Sequence, residues 1–171
     1  MTMTTAAGLT LVSVAAVAAA SDVFSRKVSN RLNLAILVLG LGWRALVVGG
    51  WSVALGVAGA AAGLALLFAP FAVRWIGAGD VKLLAALGAW LGPVATVYAG
   101  LFGLVGGGLL AAAMAIVAGA STRRAVAVNV YNSICTMSAP HAPQRAKRLV
   151  VPMAVPFAVA GTITFFVGGG F

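Results

Sequence analysis

The stretch from residue 81 to residue 118 is mostly apolar and long enough for two passes through a bilayer, and comparable runs flank it on both sides. Hydrophobic residues fill 63% of the 171 positions, and charged residues only 8%. A soluble domain of this length has too little interior to hide so much apolar surface. The expected fold is therefore all-α: a polytopic bundle of transmembrane helices, in which each backbone group finds its partner within its own segment.

Six spans are expected, at roughly 5–21, 32–49, 51–70, 80–92, 93–119 and 150–168, each judged against the ~20 residues that cross a hydrocarbon core. The fourth is short. Gly92-Pro93 reads as a tight turn, with Pro93 at the first position of the fifth helix. The first apolar run ends in Ala18-Ala19-Ala20, which resembles a cleavage site, but Met1 to Gly8 lack the basic residues that open a secretory signal. Arg26, Lys27 and Arg31 follow the run instead, which predicts a retained helix with its N-terminus outside.

Cytoplasmic connections then fall at about 22–31, 71–79 and 120–149. They hold every Lys and Arg except Lys82, just past the second connection, and Arg44, near the far end of the second helix. The net charge of +9 is thus a topology signal and an attraction to anionic lipid. It is not read as a nucleic-acid footprint, because the basic residues flank spans.

Glutamate is absent, and Asp22 and Asp80 are the only acids. A carboxylate beside a bilayer is expensive, so an isolated pair is a functional-site hypothesis. Asp22 ends the first expected helix and Asp80 begins the fourth. Two crossings separate them, so the chain returns to the face it left. The two carboxylates can meet there.

Other chemistries are poorly provided for. A zinc-protease helix needs two histidines and a glutamate, and His141 is the only histidine. Cys135 is the only cysteine, too few for a structural zinc site or an internal disulfide. Cys135 and His141 as a thiol nucleophile and its base would sit in one Ser/Pro-containing loop. No Gly-x-Ser-x-Gly elbow and no phosphate-binding glycine loop occurs. No metal and no cofactor is expected.

Two close aspartates cannot both ionise cheaply, so one pKa rises and the pair holds a shared proton. One can then act as general base on a water while the other protonates or hydrogen-bonds a scissile carbonyl. The pair titrates as a unit, which leaves the base unassigned. Asp80 stands in Trp75-Ile76-Gly77-Ala78-Gly79-Asp80-Val81-Lys82, where Gly77 and Gly79 permit the close approach of an extended peptide. Lys82, two positions on, points to a different face and reads as a headgroup or loop contact.

Plainer readings stand beside these. Asp80 is equally acceptable as the N-cap of the fourth helix, and Asp22 as a solvated boundary residue paired with Arg26. The pairs Gly59/Gly63, Gly88/Gly92 and Gly103/Gly107 have the spacing of helix-packing notches. A non-enzymatic membrane scaffold or small transporter, with both aspartates as helix caps, is the alternative from another class. A proton-coupled transporter usually carries its acid mid-span.

Gly77-Ala78-Gly79-Asp80-Val81-Lys82 resembles the Gly-x-Gly-Asp-x-Lys signature of the type IV prepilin peptidase family. Asp22 followed by Arg26-Lys27-Val28-Ser29-Asn30 is similar to that family's first-aspartate motif, an acid, a basic stretch and Pro-Asn, with Ser29 in place of the proline and Asn30 matching. The closing Val151-Pro152-Met153-Ala154-Val155-Pro156-Phe157-Ala158 also resembles the family, although Met153 stands where an aromatic is common.

The resemblance implies an aspartyl endopeptidase whose catalytic pair is Asp22 and Asp80, supported by Gly77, Gly79, Lys82 and Asn30. Its substrates would be prepilins and pseudopilins, cut at the cytoplasmic face of a bacterial inner membrane to remove a short basic leader. Larger members carry a cysteine-rich insertion and also methylate the new N-terminus. With Cys135 alone, this chain resembles the small peptidase-only branch associated with Flp-type tight-adherence pili, or an archaeal preflagellin peptidase. A single integral-membrane domain over residues 1–171, without methyltransferase activity, is expected. Its oligomeric state is not legible in the sequence.

Overall fold

The computed structural model describes residues 3–25, 29–117, 119–136 and 152–168, and every regular element among them is a helix. In chain order these are α1 (Met3–Ser25), α2 (Asn30–Trp43), α3 (Gly50–Ala72), α4 (Ala78–Leu91), α5 (Pro93–Val117), α6 (Ala120–Thr136) and α7 (Ala154–Val167). A π-helical turn, Arg44–Val48, carries α2 on toward α3. Each expected span coincides with a helix. Four segments, Ala6–Phe24, Asn30–Val48, Gly50–Ala72 and Pro93–Val117, are long and apolar enough to cross a membrane.

The remaining two, α4 and α7, have 14 residues each, about 21 Å of helix against a ~30 Å hydrocarbon core. α4 is surrounded by its neighbours. Every residue from Val81 to Leu91 is buried except Lys82, and α2, α3, α5 and α7 all pack on it. The apolar side chains left exposed, such as Leu46, Trp51, Phe68 and Val117, belong to the outer helices.

Local sequence explains the boundaries. Ser29, where the resemblance expects proline, is the N-cap of α2 and accepts the Leu32 N–H at 3.2 Å. Gly92 ends α4 with φ +77, a conformation that favours glycine, and Pro93 starts α5 as expected. The expected glycine notches are filled as packing contacts. Gly59 of α3 and Gly88 of α4 lie backbone to backbone, while Phe157 of α7 and Met153, its N-cap residue, fill the space over Gly103 and Gly107 of α5. In lipid, close packing of this kind replaces the hydrophobic drive that holds soluble bundles together.

One expectation needs correction. The connection at 120–149 is helical over Ala120–Thr136, so Cys135 sits exposed on α6 and not in a loop; His141 lies outside the described residues. The partners of Arg44 are not legible in the sequence. The residue is 3% exposed, and its guanidinium donates to Ala89 O at 2.8 Å, Trp90 O at 2.6 Å and Ser52 O at 3.3 Å. Ala89 and Trp90 end α4, where carbonyls lack helical partners, and Arg44 satisfies two of them. Trp90 in turn stacks on Trp43 and donates its indole N–H to Ile36 O at 3.0 Å.

Candidate active site

The far end of the bundle from Arg44 gathers the end of α1 and the starts of α2, α4 and α7. Asp22 lies in the last turn of α1 and is 8% exposed. Its Oδ2 accepts the backbone N–H of Ala154, the first residue of α7, at 3.0 Å. That is not the environment of a solvated boundary residue. Arg26 and Lys27, the first basic residues after Asp22, lie outside the described residues.

Asp80 is the third residue of α4, and Gly77 occupies the N-cap position with extended backbone. Asp80 is therefore not the cap itself. Its carboxylate takes a hydrogen bond from the Gly77 backbone, as the third residue of a capping box does. A side chain at Gly77 would put its Cβ 3.3 Å from Asp80 Oδ2, tighter than ordinary contact, so glycine leaves the carboxylate its room. Asp80 stands at the end of α4, outside the four long apolar helices. Burial, and then the negative charge of Asp22, push its pKa up to about 6, while the Gly77 hydrogen bond pulls the other way. The influence of Asp22 on Asp80 means that α1 and α4 bring the two carboxylates into one electrostatic environment.

The motif residues around them hold α2 against α4. Lys82 Nζ donates to Asn30 Oδ1 at 3.0 Å, joining the two sequence motifs directly. Lys82 had read as a headgroup or loop contact; its partner is the first residue of α2. Beside this pair, Asn33 Nδ2 donates to the carbonyl of Gly79 at 3.4 Å. Sequence reasoning missed Asn33. The available signal was a second asparagine three residues after Asn30, on the same helical face, in an otherwise apolar run. It also missed the Ala154 N–H, because a backbone donor leaves no mark in a sequence.

Among the described residues, no group of three or more His, Cys, Asp or Glu side chains is placed to hold a metal ion. A cavity of about 780 Å³ opens at the other end of the bundle, lined by Arg44, Gly92, Tyr98, Phe102 and Thr164 among others. Neither aspartate touches it. The two aspartates lie at the opposite end of the bundle from this cavity.

No curated protein and no solved structure matches the chain. A family model, described as the type IV leader peptidase family, matches residues 9–122. That span carries most of α1, all of α2 to α5, both aspartates, the glycine motif and the Asn30–Lys82 contact. On a match over most of its length, this chain, a helical protein with four membrane-capable helices, belongs to the type IV leader peptidase family.

Proposed function

We propose that the chain is an aspartyl endopeptidase that removes the basic leader from type IV prepilins and pseudopilins, of the Flp type, at the cytoplasmic face of a bacterial inner membrane. Asp22 and Asp80 are its catalytic pair. The observation that carries this reading is the meeting of the chain's only two acids at one end of the bundle, with Asp80 raised by burial and by Asp22. Family membership supports peptidase chemistry, and the positive-inside distribution supports a cytoplasmic location.

The pair holds one proton between two carboxyl groups. The ionised carboxylate takes a proton from a water molecule, and the water oxygen attacks the scissile carbonyl carbon. The protonated carboxyl donates to the carbonyl oxygen, so the tetrahedral intermediate forms without a free oxyanion. Collapse breaks the C–N bond: the proton gained from water passes to the departing amine, and a gem-diol hydroxyl returns its proton to the other carboxylate, restoring the pair. Gly77 and Gly79 leave room for an extended peptide beside Asp80. Lys82 and Asn30 hold α4 against α2 while the substrate enters.

The test is leader cleavage of a Flp-type prepilin co-expressed with this chain, against Asp22→Asn and Asp80→Asn forms that still insert. The parent is expected to cleave and both variants to fail. Cleavage by either variant reduces that aspartate to a helix-end residue. The bonds from Gly77 to Asp80 and from Ala154 to Asp22 are the observations favouring such a helix-end role.

A further inference from the structure

Asn33 has a side chain with two hydrogen-bonding ends, and the structure uses only one. It is 5% exposed, in the first turn of α2, and packed where that helix meets α4. Gly79 O can only accept a hydrogen bond, so the amide nitrogen must face it, and this fixes which end is which. The other end, Oδ1, is buried and has no hydrogen-bond partner among the described residues. A buried acceptor without a donor is costly, and native structures keep one where a partner arrives in function. Gly79 immediately precedes Asp80. Whatever fixes the Gly79 carbonyl fixes the turn from which the Asp80 side chain departs. Lys82, the cationic donor of α4 at this junction, is bonded to Asn30 instead.

We propose that Asn33 is a positioning residue for Asp80: its amide nitrogen holds the Gly79 carbonyl, and its Oδ1 receives an N–H or O–H donor that arrives with the reaction. Two donors have the required chemistry, a peptide N–H of the substrate and the hydrolytic water. The proposal rests on the dyad reading above, and its test is separable from it.

The chain has only two aspartates, so isotope-labelled aspartate marks Asp22 and Asp80 alone in an infrared spectrum. In an Asp22→Asn background the protonated-carboxyl band reports Asp80 by itself, with no need for activity. Adding Asn33→Ala opens the α2–α4 junction to water, and burial is the main cause of the raised Asp80 pKa. The band's midpoint is expected to fall by about one unit toward the ordinary carboxylate range. In the otherwise intact enzyme, Asn33→Ala is expected to lower kcat on the order of a hundredfold through misplacement of the acid.

A rise in KM alongside that loss assigns the donor to the substrate backbone. An unchanged KM assigns it to water. An unchanged Asp80 midpoint overturns the proposal whatever happens to activity, and leaves Asn33 a packing residue. If Asn33→Ala does not accumulate in the membrane, Asn33→Gly, which also removes both hydrogen-bonding ends, is read in the same way. If the parent cleaves no prepilin, the midpoint comparison still decides the role of Asn33.

Discussion

The Asp22 carboxylate is seated on the backbone N–H of Ala154, 132 residues away along the chain and 3.0 Å away in space. One of the two acids is thus held by a helix start that lies outside the span matched by the family model. An N–H at a helix N-terminus is a favourable neighbour for a carboxylate oxygen. The donor belongs to the backbone, so at position 154 only proline would remove it, whereas the acceptor can be varied directly.

Asp22→Asn keeps an oxygen that can accept the Ala154 N–H, whereas Asp22→Leu removes it. The asparagine variant is therefore expected to unfold within about 0.5 kcal/mol of the parent, and the leucine variant to lose about 1–3 kcal/mol from the orphaned donor. Thermal unfolding in detergent compares the two. Equal losses would show that α7 does not depend on this contact.

Asp80 has its pKa raised in the folded chain to about 6. A raised folded pKa means that the folded state binds the proton more tightly than the unfolded state. That contribution to stability is complete below the unfolded value of about 3.9 and is lost as pH rises through about 6. Asp80→Asn, which cannot ionise, should therefore be more stable than the parent at pH 7.5, by on the order of 1–3 kcal/mol, and nearly equal to it near pH 4. Unfolding curves at the two pH values test the sign. A stability gain that is the same at both would exclude ionisation as its cause.

Arg44 holds the carbonyls of Ala89 and Trp90 at the closed end of α4. Arg44→Leu leaves these acceptors buried without their donor and is expected to cost about 3 kcal/mol or more. Arg44→Lys retains the charge but lacks the planar fork, so it should recover only part of that loss. Measured melting temperatures should fall in the order parent, lysine, leucine. A leucine variant as stable as the parent would mean that the cap contributes nothing net.

Gly88 meets the backbone of Gly59, while Gly108 has open space where a methyl would stand. Gly88→Ala should force α3 and α4 apart at a cost of about 1–3 kcal/mol. Gly108→Ala, inside α5, should be neutral or stabilising by up to about 1 kcal/mol through helix propensity. The pair of variants separates packing from propensity in one unfolding assay.

The apolar runs and the punctuation at Gly92-Pro93 made the helices readable, since a backbone in lipid has few ways to satisfy itself. The convergence of Asp22 and Asp80 was readable because counting crossings needs no coordinates. The role of Arg44 was not legible because the topology rule counts a basic residue by its side alone. It has no term for a guanidinium spent on helix-end carbonyls. α6 was missed because its polar and basic residues interrupt the apolar pattern on which the spans were recognised. Ser29 departed from the family motif, yet it caps α2 where a proline was expected. The sequence showed the change but not its compensation.

The seat of Asp22 also sets an order of assembly. During synthesis α1 enters the membrane long before Ala154 exists, so the carboxylate waits without its backbone donor until α7 has docked. α1 and α7, far apart in the chain, are fastened to each other at the end of the bundle where the two aspartates lie. Both motif aspartates can be in place while the site is still unfinished, and a nascent chain passes through that stage before it can close.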